Sequence, residues 1–296
     1  MFRTAYSIAS EFTWPVVLSR KTVDGTCSSS IGSCVILNEE GWILTCFHIT
    51  DAFNKMADEC RNVRAVRAQQ QAIKADGSLS AKQRSAALNA LPKLTGGMTE
   101  ECAAWFGRDG VRLVHGGGIE AVDLAVGKLE PFDPSWVSAY PFIKDPTKDF
   151  DPGVSLCKLG FPFHRIEPAW DQAARTFRLP QGALPLPRFP IEGIFTRTVE
   201  LVVPNAALPA FPLRWVETSS PGLKGQSGGP TFDKHGWIWA IQARVLPIPL
   251  GYEGEVKIKK VKHTVPQFLN VGLGVHPITM MGLLDQMKIK YRVSPQ

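Results

Sequence analysis

The sequence predicts a mainly β protein, built as barrels or a sandwich, interrupted by one helical hairpin and closed by a helix. Three observations predict it. Short runs rich in Val, Ile and Leu recur through residues 31–50 and 105–245, separated by Gly, Pro and Asn/Asp turn chemistry. Between residues 51 and 93 the apolar spacing changes to three and four, as on a helix face. That spacing returns over Pro277–Met287 near the end of the chain.

The first strong element is a β-hairpin. Two β-branched runs within residues 31–50 flank Asn38-Glu-Glu-Gly41, which is turn chemistry, and the second run delivers His48 just past its end. Phe53, Met56, Cys60, Val63 and Val66 then mark an amphipathic helix that ends near Ala75-Asp-Gly77. A second helix is expected from Ser80, with Gln83 completing a capping box and Pro92 stopping it. Residues 51–93 thus read as a helical hairpin inserted into a β-rich chain.

Strands are expected again from about residue 105. Gly110–His115 and Val122–Leu129 flank a glycine-rich bend, and residues 131–152 read as a connector between two halves. Gly153–Leu159 is a strand leading into Gly160-Phe-Pro-Phe163, and the prolines of 164–190 predict a long surface loop. Further strands are expected over residues 193–203 and Trp237–Val245.

Bulk properties exclude several classes. No run approaches the roughly 18 consecutive apolar residues that cross a bilayer. The first residues lack an apolar stretch followed by a small-residue cleavage site, so no export signal is expected. The six cysteines form no CxxC pair or dense framework, which favours free buried thiols and a cytoplasmic location. The net charge of +6 is concentrated in residues 51–93 and in Lys257-Ile-Lys-Lys-Val-Lys262. Both stretches read as solvated faces rather than a nucleic-acid surface.

The chemistry is carried by Gly222-Leu-Lys-Gly-Gln-Ser-Gly-Gly-Pro230. A serine between glycines serves acyl transfer in two ways. A substrate carbonyl can come close, and the bend can turn backbone N–H groups of Gly225 and Ser227 inward as an oxyanion hole. Taken singly, Ser227 fits an ordinary glycine-rich turn, His48 a half-buried strand end, and Asp123 a turn cap. Together, in the order His48, Asp123, Ser227, they supply a nucleophile, its base and the group that orients the base.

These pieces, with Gly32-Ser-Cys-Val-Ile36, Ile43-Leu-Thr-Cys-Phe-His-Ile49, Asp123-Leu-Ala-Val126 and Gly160-Phe-Pro162, resemble the chymotrypsin-fold, trypsin-like serine peptidases. The resemblance spans roughly residues 30–275 and leaves 51–107 largely outside it. It implies two antiparallel β-barrels. Residues 1–135 would form the first, carrying His48, Asp123 and the helical insertion of about 51–107, and 150–284 the second, carrying Ser227 and the oxyanion hole. It also implies a catalytic triad of those three residues and a serine endopeptidase acting on a protein or peptide, without cofactor or metal. Gln226 stands where digestive members carry an Asp that pairs with a new amino terminus, so no such activation switch is expected. With the absence of cysteines paired beside His48 and Ser227, this resembles bacterial intracellular branches. Pro221 removes the usual warrant for an Arg/Lys preference, and Ala243-Arg244-Val245 is the expected far wall of the pocket, where Arg244 would favour an acidic residue. A small or apolar preference is equally compatible with those residues.

Competing readings have sequence signs. His115-Gly-Gly-Gly118 and Gly225-Gln-Ser-Gly-Gly229 match patterns of α/β-hydrolase esterases, but a strand rather than a helix is expected after Ser227. His164, His235, His263 and His276 show no shared-ligand spacing, so no metal site is expected. The remaining alternative is a peptidase-fold binding module, inactive or gated by a regulatory protein docked on 51–93. An unexported enzyme with an added helical element is expected to cleave a chosen intracellular protein, in a regulatory or defence pathway, and no membrane partner is expected.

Overall fold

The computed structural model describes residues 1–201, 209–259 and 261–295, without the side chains of Val256, Ile258, Val261 and His263. The last residues of the strand expected over 193–203, Lys260 of the basic run and the His263 side chain lie outside the described residues.

A helix the sequence reading did not foresee, α1 (Arg3–Phe12), opens the chain. Its buried Ala5, Ala9 and Phe12 lie at helical spacing, and Phe2 packs edge-on against Phe232 with ring centroids 6.2 Å apart. There follow β1 (Thr13–Thr22), β2 (Cys27–Ile36), β3 (Trp42–Thr45), α2 (Phe47–Ala75), α3 (Ala81–Ala90), β4 (Thr99–Phe106), β5 (Arg112–Ile119) and β6 (Leu124–Glu130). The strands form one antiparallel sheet in the order β4-β1-β2-β3-β6-β5. The expected hairpin is its centre: Val35 pairs with Leu44 and Ile36 with Ile43.

The second half contains β7 (Phe142–Ile143), β8 (Ser155–Lys158), β9 (Ala169–Asp171), β10 (Thr176–Arg178), β11 (Ile191–Glu200), β12 (Arg214–Thr218), β13 (Pro230–Phe232), β14 (Ile238–Ile258), β15 (Val261–Val275), α4 (Pro277–Gln286) and β16 (Arg292–Val293). Its large sheet runs β13-β8-β11-β12-β15-β14-β7-β16, and β13 also pairs with β14. That extra pairing closes six strands into a barrel, and β7 and β16 attach in parallel outside it. The chain is therefore mainly β, with two curled, essentially antiparallel sheets and few helices, as the expected double-barrel class requires. Phe12, Val35, Leu44 and Val126 share one core with Phe232, Ile241 and Val275, so the two sheets pack as a unit.

Several expectations need correction. Residues 99–106 are strand rather than insertion, and β4 pairs with β1 along the sheet edge. The two helices also differ in kind. The capping box at Ser80 and Gln83 is present, but α3 has no buried residue. By contrast α2 begins earlier than expected, at Phe47, and buries Ile49, Cys60, Val63 and Val66. Salt bridges join its Arg64 to Glu101 and its Arg67 to Glu100 on β4. Gly116–Gly118 lie within β5 rather than in a bend. The loop 164–190 contains the small β9–β10 hairpin, and β14 with β15 runs on well past Val245 as a long two-stranded arm. Among the described residues no helix is long and apolar enough to cross a membrane.

Candidate active site

The first sheet delivers a histidine and its partner through the start of a helix. After β3 ends at Thr45, α2 begins at Phe47, and its first turn exposes N–H groups without intrahelical acceptors. Asp123 satisfies two of them. Its carbonyl oxygen accepts from Phe47 N at 3.3 Å, and its Oδ1 accepts from His48 N at 2.8 Å. The other carboxylate oxygen, Oδ2, lies 2.7 Å from His48 Nδ1. A carboxylate at a helix N-terminus is favoured by the dipole, so one residue both caps α2 and orients the ring. With Nδ1 donating to Asp123, Nε2 is left as the basic nitrogen.

Asp123 stands after the short 3-10 turn Glu120–Val122 with φ 60° and ψ 41°, the left-handed region that aspartate tolerates better than most residues. Trp215 of the second sheet steadies that turn by donating Nε1 to Val122 O at 3.4 Å. The side chain of Asp123 is 9% exposed and that of His48 52%, so the acid is enclosed while the base faces solvent. Cys46 sits behind the pair. Burial, reinforced by the Asp123 carboxylate, pushes its thiol well above the usual range. It therefore persists as S–H, with Sγ 3.2 Å from Gln242 O. Ligand atoms of Cys46, His48 and Asp123 lie within 4.8 Å of one another, and both carboxylate oxygens of Asp123 are engaged by His48.

Ser227 sits in the loop that precedes β13. Gly225 has φ 101°, and a Cβ there would collide with Phe161 O, so the backbone needs glycine at this point. Ser33 of β2 crosses from the first sheet to fasten the loop. Its Oγ donates to Gly225 O at 2.8 Å and its N–H to Ser227 O at 2.8 Å. Thr45, three residues before His48, donates Oγ1 to Ser33 O at 2.8 Å, so the same strand ends carry the histidine and anchor the serine loop. Within that loop the N–H groups of Gln226, Gly228 and Gly229 donate to Leu223 O, Gln242 O and Gln226 O. Those of Gly225 and Ser227, the two expected oxyanion donors, donate to no acceptor among the described residues. No hydrogen bond joins Ser227 Oγ to the His48 ring among them.

Gln226 is fully buried. Its Nε2 donates to Phe189 O at 3.2 Å, and its Oε1 accepts from Leu223 N at 3.0 Å. The loop is thus braced from within, without a charged amino terminus.

The expected pocket residues are arranged less simply. Ala243 is buried and Val245 is exposed. The Arg244 guanidinium turns to the first sheet, donating to Glu120 O and Ala121 O at 3.4 and 3.2 Å, and lies 5.4 Å from the Trp215 ring. These contacts brace the turn that carries Asp123. Pro221 O accepts from Lys158 Nζ at 3.2 Å, and Lys158 is a residue the sequence reading passed over as part of an apolar strand. The esterase pattern dissolves: His115 is exposed on β5, and Ser227 leads into strand β13 rather than a helix. His164, His235 and His276 each have separate neighbours.

The fold and the site thus define a double β-barrel carrying an oriented histidine and a serine loop at the junction of its two sheets. No family model and no curated protein matches the chain. Among solved structures it is similar to an HtrA-type protease with a tripeptide, at TM-score 0.46 and 16% identity, covering 98% of this chain and 64% of that one. It is also similar to the active form of the Rv3671c protease from M. tuberculosis, at TM-score 0.48 and 10% identity, covering 98% of this chain and 86% of that one. The chain spans just under two thirds of the length of the HtrA-type protease.

Proposed function

We propose that the protein is a serine endopeptidase with Ser227 as nucleophile, His48 as general base and acid, and Asp123 as the group that orients it. One observation carries the reading: among the described residues the N–H groups of the 225–229 loop left without acceptors are those of Gly225 and Ser227, in a loop fastened through Ser33 to Thr45, three residues before a histidine whose Nδ1 is already held. In the reaction His48 Nε2 takes the Ser227 proton as Oγ attacks the scissile carbonyl. The carbonyl oxygen becomes an oxyanion facing the N–H groups of Gly225 and Ser227. The imidazolium then gives its proton to the leaving amine, and the peptide bond breaks to an acyl-enzyme. Water, deprotonated by His48, releases the acyl group and restores Ser227.

Action on a selected intracellular protein, in regulation or defence, is the role we assign it; its intracellular part agrees with six free thiols, as in a reducing compartment, and the internal bonds of Gln226 brace the serine loop without a charged amino terminus. Purified protein incubated with an unfolded protein substrate tests the proposal. Proteolysis that disappears in both Ser227→Ala and His48→Ala supports it, and proteolysis that survives either substitution rejects it.

A further inference from the structure

Lys158 is 1% exposed, yet it carries an ammonium group with no carboxylate partner among the described residues. Its Nζ donates to Ser220 O, to Ser220 Oγ at 3.0 Å and to Pro221 O at 3.2 Å, all neutral acceptors. Hydrogen bonding is satisfied, but the charge is not neutralised. An enclosed cation of this kind is ordinarily paired with an anion.

Glycines on three separate segments leave the room that Lys158, Ser220 and the neighbouring Gln242 fill. A Cβ on Gly272 of β15 would collide with Lys158 Nζ. One on Gly193 of β11 would collide with Ser220 Oγ, and one on Gly222 with Gln242 Nε2. The ammonium therefore lies beneath the start of the loop whose far end presents the free N–H groups of Gly225 and Ser227. The loop lies along β14, with Gly228 N donating to Gln242 O at 2.8 Å and Gly222 against Gln242 Nε2, so the ammonium, the free N–H groups and the Ala243–Val245 stretch border one region. Neither Pro221 nor Arg244 offers charge there, since proline has none and the guanidinium is fastened to the Asp123 turn.

We infer that Lys158 is the specificity-determining residue of this site and selects a substrate with glutamate or aspartate on the acyl side of the scissile bond. The inference rests on the endopeptidase reading of Ser227. Desolvation draws the lysine pKa down to about 7, and a substrate carboxylate beside Nζ would stabilise the ammonium form and raise it again.

The test uses fluorogenic peptides identical except for the acyl-side residue: Glu, Asp, Gln, Leu or Lys. Wild-type kcat/KM is expected to favour Glu over its amide isostere Gln by about tenfold or more, and Lys158→Met to bring that ratio near one. Equal cleavage of the Glu, Gln and Leu peptides, or a preference unchanged in Lys158→Met, would overturn the inference. Inactivation of the wild type by aryl phosphonates bearing Glu or Gln side chains reads the same preference without any variant, so a misfolded Lys158→Met leaves the test intact. A fluorophosphonate without such a side chain separates the two levels. Wild type that labels but shows no acidic preference sinks the specificity alone; wild type that does not label sinks the endopeptidase reading and the specificity with it.

Discussion

Asp123 holds His48 at two points, with Oδ1 on the backbone N–H at 2.8 Å and Oδ2 on ring Nδ1 at 2.7 Å. The two contacts predict separable consequences. Asp123→Asn keeps a side-chain oxygen for the helix N-terminus and tolerates the left-handed backbone, so melting temperature should move little. Its amide favours the wrong ring tautomer, and kcat should fall by roughly 10⁴-fold. Asp123→Ala should lose both, with about 1–2 kcal/mol of stability gone as well. An Asn variant with near wild-type kcat would refute the assigned role.

Gly225→Ala should damage both the fold of the loop and its chemistry. The new Cβ meets Phe161 O and the φ of 101° is strained for any side chain, which is worth about 1–3 kcal/mol. Displacing the adjacent N–H from the oxyanion should lower kcat by roughly 10²- to 10³-fold. Steady-state kinetics beside chemical denaturation checks both, and a variant as active and stable as wild type contradicts the geometry.

The helices of the former insertion should respond oppositely to change. Replacing residues 77–93 by a short Gly/Ser linker should leave the unfolding midpoint nearly unchanged, because α3 buries nothing. Val63→Ala on α2, fully buried against the sheet, should cost about 1–3 kcal/mol. Equal losses from the two changes would show that α3 is part of the core.

His276 supplies a pH prediction. It is 3% exposed, caps α4 by accepting from Ile278 N at 3.1 Å, and burial, with Arg214 nearby, lowers its pKa to about 4. The folded state refuses a proton that the unfolded state binds below about pH 6.5. Stability should therefore be lost as pH falls from 6.5 towards 4, by about 3 kcal/mol from this group. His276→Asn retains a capping oxygen and should lose less stability than wild type over that window. Identical pH dependence in urea unfolding would contradict the assignment.

The residues of the proposed site are marked in the sequence by local signals. The serine between glycines, the histidine at a strand end and the acid before an apolar strand each need only a few neighbouring residues. So does the Ser80–Gln83 capping box. What escaped depends on pairings distant in sequence. Strand β4, reading Thr-Glu-Glu-Cys-Ala-Ala-Trp-Phe, has little apolar alternation and is a strand because β1 offers it an edge. Lys158 looks like any charged residue at a strand end until Ser220 and Pro221 fold over it. Arg244 was assigned to the pocket from its place in the chain, whereas its partners Glu120 and Ala121 belong to the other sheet. Helix α1 did carry a signal, Phe2, Ala5, Ala9 and Phe12 at helical spacing, in a stretch weighed only as a targeting segment.

The central claim is that Ser227 is an activated nucleophile, and labelling of purified protein by a fluorophosphonate probe tests it most directly. The account predicts one label per chain, mapped to Ser227 and abolished by Ser227→Ala and by His48→Ala. A folded wild type that takes no label, or takes it at another residue, would contradict it.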